Sequence, residues 1–135
     1  MRRRRYIEFE DDGLQLRYAP HPNGGGLVEI GAQVHPNAYV AAGAYVDSGA
    51  RVHAGARIAA GAWIDRDAVV GRDAVIGSHA HLGAGAVLGQ GARLGARAVI
   101  GAVARVENGA TVGPELSYPA GARIAAGPGD FTTAA

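Results

Sequence analysis

The chain has 135 residues, room for one domain, and a formal net charge of +1 from 13 basic and 12 acidic residues, which excludes a body built to seek polyanions such as nucleic acid. Alanine and glycine supply 51 residues without the glycine-every-third period of collagen, and the absence of cysteine excludes disulfides, thiolate metal sites and cysteine nucleophiles. No apolar run approaches the length of a bilayer span, and Met1 is followed by four arginines rather than an apolar leader, so neither a membrane segment nor a secretory signal is expected.

The first 27 residues form one unit. Arg2, Arg3, Arg4 and Arg5 make a basic arm on a chain of almost no net charge. Alternation then places Ile7 and Phe9 on one side of a strand, a turn falls at Asp11-Asp12-Gly13, and Leu14, Leu16 and Tyr18 share one side of the return strand. A lone two-stranded hairpin is marginal in water, so its apolar side is expected to rest on the remaining chain or on another molecule. His21-Pro22-Asn23-Gly24-Gly25-Gly26 reads as a linker.

From Val28 the pattern changes. Aliphatic residues recur every six positions from Val28 to Ile124, and 16 of the 17 positions are Val, Ile or Leu, with Tyr118 the exception. Alanine stands four residues after nearly every one, from Ala32 to Ala122, replaced once by Leu116. A period of six suits no helix but does suit short strands joined by tight corners. The position three after each aliphatic residue holds Gly, Asn or Asp in 12 of 16 cases, the residues that accept positive φ at low cost. Both exceptions fall in one hexad, where Leu116 and Tyr118 are expected to plug the last coils. The tail 127–135 offers no core residue beyond Phe131.

This aliphatic-x-x-x-Ala-x repeat resembles the hexapeptide-repeat superfamily over residues 28–124. The resemblance implies an all-β fold, a left-handed parallel β-helix of five to six 18-residue coils over 28–126, preceded by the hairpin unit 1–27 and followed by the tail 127–135. The stretch Val34-His35-Pro36-Asn37-Ala38 is also similar to the opening coil of acyl-carrier-protein acyltransferases. An 18-residue coil stacks outward residues into ladders. One face carries Gln33, Arg51, Val69, Val87, Arg105 and Arg123, with His35 and His53 beside them. A second carries Tyr39, Arg57, Val75, Arg93 and Thr111. A third carries Tyr45, Trp63, His81, Val99 and Ser117, flanked by Asp47, Asp65, Gly83 and Gly101. Val69, Val75, Val87 and Val99 are bare outward valines that want a partner, and the resemblance implies that they pack a homotrimer.

The histidines decide which chemistry is open. The γ-class carbonic anhydrases of the superfamily draw three imidazoles from histidines 36 and 5 residues apart, spacings that His21, His35, His53, His79 and His81 do not contain. His35 and His53, 18 apart, stack as half a metal site or as two solvated rings. His81 stands over Trp63. Were the chain an enzyme, His53 or His81 would be the general base, with Asp47 or Asp65 on the aromatic face. The loop that usually interrupts the repeat in superfamily acyltransferases has no counterpart between residues 28 and 112. A non-enzymatic trimeric peg is therefore expected, docking its hairpin on a larger particle as a virion decoration or cement protein does. Arg2 to Arg5 with Ile7, Phe9, Leu14 and Leu16 would form its docking arm. The alternatives are a coenzyme A-dependent acyltransferase and a cytoplasmic scaffold. No cofactor, metal, membrane or specific nucleic-acid partner is expected, and the setting is a virion or the cytoplasm.

Overall fold

A computed structural model describes residues 7–11 and 14–126. Beyond the hairpin, the chain is a stack of two-residue strands. Inward aliphatic side chains of the middle coils lie between the coil below and the coil above, and Ile58, Ile64, Ile76, Leu82, Leu88 and Ile100 are fully buried. Tyr45 N–H donates to Ala62 O at 2.9 Å and Asp47 N–H to Ile64 O at 2.8 Å, and this pairing repeats coil after coil. The alanines sit under the corners with no exposure from Ala38 to Ala74, where a larger side chain would meet the neighbouring walls of the prism.

Among the described residues three sheets result, of eight, six and five strands. The first runs through Leu27–Glu29, Tyr45–Val46, Trp63–Ile64, His81–Leu82, Val99–Ile100 and Ser117–Tyr118. The second runs from Gln33–Val34 to Arg123–Ile124, and the third from Tyr39–Val40 to Thr111–Val112. The expected 18-residue register holds throughout: Gln33 pairs with Arg51, Trp63 with His81, Val69 with Val87.

The hairpin consists of β1 (Ile7–Asp11) and β2 (Leu14–Pro20), antiparallel with Ile7 opposite Tyr18. It is joined to the prism by pairing of β2 with β3 (Leu27–Glu29), also antiparallel, with Tyr18 opposite Glu29. Of its apolar side, Tyr18 is buried and Leu16 half-buried within the chain. Arg2, Arg3, Arg4 and Arg5, the side chains of Ile7, Phe9 and Leu14, and the tail 127–135 lie outside the described residues. The segment 21–26 packs against the edge of the third sheet. His21 Nε2 meets Ala38 O at 2.9 Å, Gly26 N–H donates to Val40 O at 2.9 Å, and Val40 N–H donates to Asn23 O at 3.0 Å.

Two local expectations are corrected. Leu116 does not plug the last coil: it is 46 % exposed, while Tyr118 is half-buried. The corners are also set by the coil rather than by residue preference alone. His79, Arg97, Val103 and Glu115, the four positions lacking Gly, Asn or Asp, all take φ between 52° and 65°. Gly31 and Asn37, in the first coil, do not adopt positive φ.

Candidate functional site

The first sheet gathers Tyr18, Tyr45, Trp63, His81, Asp47 and Asp65 onto one surface. Parallel pairing places Tyr45, Trp63 and His81 one above another. The Trp63 and His81 rings lie 4.0 Å apart at 8°, a face-to-face stack. Tyr18, brought in by the hairpin, meets Tyr45 edge-on at 6.0 Å.

The carboxylates one residue beyond each inward aliphatic are engaged rather than freely solvated. Asp65 Oδ2 lies 3.1 Å from His81 Nε2, and Asp65 Oδ1 accepts from Arg66 N–H at 2.7 Å. An ionised carboxylate only accepts hydrogen bonds, so Nε2 carries the imidazole proton and Nδ1 presents the lone pair. Asp47 accepts from the Trp63 indole N–H at 2.7 Å and from the Tyr18 hydroxyl at 2.6 Å. Burial, and then the bond to Asp47, push the Tyr18 phenol well above its ordinary range, which keeps it a neutral donor. Tyr18, Asp47, Trp63, His81 and Asp65 therefore form one connected chain, each member fixing the next. The Asp65 and His81 side chains keep 21 % and 28 % of their surface exposed, enough for an incoming molecule to touch the ring.

Above His81 the surface is low. Val99 is its paired neighbour, and Gly83 and Gly101 flank these two positions. A Cβ on Gly83 would stand 2.6 Å from Ile100 O, so the coils close at a spacing that bars any side chain there. The result is a narrow bare strip leading away from the imidazole.

Of the residues that the sequence nominated, His81, Asp65 and Asp47 come together here. His53 does not: it lies on the second sheet, where it lines a shallow groove with His35, Gln33 and Arg51. Tyr18 was missed as a site residue, because its contact with Asp47 spans 29 positions and depends on the direction in which the hairpin folds back. Val69, Val75 and Val87 are half-buried within the single chain, and Val99 is 37 % exposed. Among the described residues no group of three or more His, Asp or Glu side chains converges as a metal site would require.

Comparison with known proteins bears on this face. Residues 55–90 match the bacterial transferase hexapeptide (six repeats) family. No curated protein matches the chain. Among solved structures, it is similar to the acetyltransferase domain of PglB from Neisseria gonorrhoeae, with 30% identity and a TM-score of 0.73 over 77% of this chain and 51% of that one. It is likewise similar to PerB from Caulobacter crescentus, solved with CoA and GDP-perosamine, with 33% identity and a TM-score of 0.71 over 72% of this chain and 47% of that one. A hexapeptide transferase family protein from Anaplasma phagocytophilum, 16% identical with a TM-score of 0.52 over 84% of this chain and 75% of that one, shares the fold. The chain spans about half the length of the PglB and PerB structures. The expectation of a virion decoration protein, with a larger particle as partner, finds no support in these likenesses, which fall on acetyltransferases. Its six-residue period, its stacked triangular coils and its matched repeat place the chain in the hexapeptide-repeat superfamily of left-handed parallel β-helices.

Proposed function

We propose that the protein is a coenzyme A-dependent acyltransferase, acting on an amine as a homotrimer, with His81 as general base. The observation that carries this reading is the Asp65–His81 pair, held by the Trp63 stack beside a bare strip, on a chain similar to acetyltransferases. With Asp65 on Nε2, the His81 Nδ1 lone pair is positioned to accept a proton from an attacking amine. The amine nitrogen bonds to the thioester carbonyl carbon and the C–S bond breaks. The proton taken by His81 passes to the departing thiolate, which leaves as a thiol. Asp65 holds the ring tautomer and stabilises the imidazolium formed in passing.

The strip over Gly83, Val99 and Gly101 suits a thin chain such as a pantetheine arm, since no side chain longer than valine rises from it. Superfamily members commonly form trimers, and the outward valines give this chain an apolar surface to share. The test is thiol release from acetyl-coenzyme A in the presence of amino-sugar nucleotides, with calorimetry for coenzyme A binding. Turnover that falls about 10²- to 10⁴-fold in His81→Ala, with the fold retained, supports the proposal. Failure of coenzyme A to bind the intact protein overturns it.

A further inference from the structure

We propose that the groove on the first two coils of the second sheet is a binding site for a phosphate monoester, on a different face of the prism from His81 and independent of acyl transfer. The groove is open to solvent, has a volume of about 420 Å³ and is lined by Ala32, Gln33, Val34, His35, Arg51, Val52 and His53. Its four polar residues form a lattice. Gln33 pairs with Arg51 and Val34 with Val52, so Gln33 and His35 flank one inward valine while Arg51 and His53 flank the one directly above. Coils repeat at ~4.8 Å and alternate residues along a strand at ~6.6 Å. Four side chains with hydrogen-bonding heads thus rise from the corners of a rectangle the size of a small oxyanion and its first contacts.

The electrostatics of this rectangle have one sign. No carboxylate lines the groove. Arg97 and Arg123 each rest on a glutamate, at 2.7 and 3.1 Å, whereas Arg51 has no ion-pair partner among the described residues. A guanidinium with no protein anion beside it is a ready partner for the oxygens of a phosphate. His35 Nδ1 accepts from Asn37 N–H at 3.1 Å, which places the ring proton on Nε2 and makes that atom a donor.

Two stacked imidazoles also suggest a metal, but the donor set argues against one. His35 Nδ1 is occupied, no third ligand is near, and the Arg51 charge opposes a cation. A diester offers two terminal oxygens and one negative charge; a monoester offers three oxygens and up to two charges, which matches four donors better.

Titration of the intact protein with inorganic phosphate, followed by NMR at the imidazole signals, tests the site. Saturable shifts at His35 and His53, weakened about tenfold in Arg51→Gln and unchanged in Arg93→Gln on the third sheet, are expected. Dimethyl phosphate, a diester, should shift neither signal. Absence of a saturable shift overturns the site, and equal losses in the two arginine variants would reduce it to diffuse surface charge. An equal response to the diester overturns the monoester assignment. Both arginines are exposed, so each variant keeps the core intact, and circular dichroism verifies this.

Discussion

At the scale of single residues, the molecule invests several side chains in holding one ring still. Asp65→Asn should lower the acyl-transfer rate while leaving coenzyme A affinity unchanged, because among the described residues the Asp65 carboxylate bonds to the imidazole and a backbone amide; the kcat against KM split measures this. Tyr18→Phe removes one of the two side-chain bonds described to the Asp47 carboxylate and loosens Trp63, the only tryptophan, so its fluorescence emission should shift in that variant. Tyr18 also makes a pH prediction. Its phenol is held protonated in the fold, chiefly by burial, while in the unfolded chain it ionises near pH 10. Below that pH both states carry the proton and the stabilisation is fully present. Above it only the unfolded chain releases the proton, so stability is lost as pH rises. Denaturant unfolding from pH 9 to 11 should show a steeper decline for the native sequence than for Tyr18→Phe, by up to about 1.4 kcal/mol per pH unit.

At the scale of the hexad, corners and strands answer to different demands. Val103 sits at φ 52° with 63 % of its surface exposed, a β-branched side chain in the left-handed region with little burial in return. Val103→Gly should raise the thermal midpoint by a few degrees, corresponding to about 1 kcal/mol of relieved strain. Gly83→Ala should act oppositely, costing about 1–3 kcal/mol, because its Cβ would press on the next coil's backbone; calorimetry distinguishes the two. The hexads and the ladder Tyr45, Trp63, His81 were legible in the sequence because a fixed period sets the stacking register. The fate of Leu116 was not, since the repeat assigns it an alanine's place that a leucine does not enter. Nor was the partnership of Asp47 with Tyr18: a turn and an alternation define a hairpin, but not the strand it will join. Residues 21–26, turn formers after His21, gave no sign of packing against Val40.

For the whole molecule, assembly is the property most open to measurement. Light scattering should give three chains per particle, and Val87→Glu should shift the population toward single chains if the half-buried valines complete their burial between copies. Val99→Glu, on the face of His81, should impair both assembly and acyl transfer.

The two ends of the prism differ in how they are closed. At the N-terminal end β2 and residues 21–26 cover the edges of two sheets. At the other end, among the described residues, no strand pairs with the outer edges of Thr111–Val112, Ser117–Tyr118 and Arg123–Ile124. A solenoid's cohesion is a sum over neighbouring coils, so opening begins where a coil has one neighbour. Amide exchange should therefore run as a gradient along the axis, fastest near residue 124 and slowest in the coils around Ile64 and Ile76. The stacked imidazole at position 81 stands two coils inside that end, so opening of the last turn would leave the ring seated on its own neighbours.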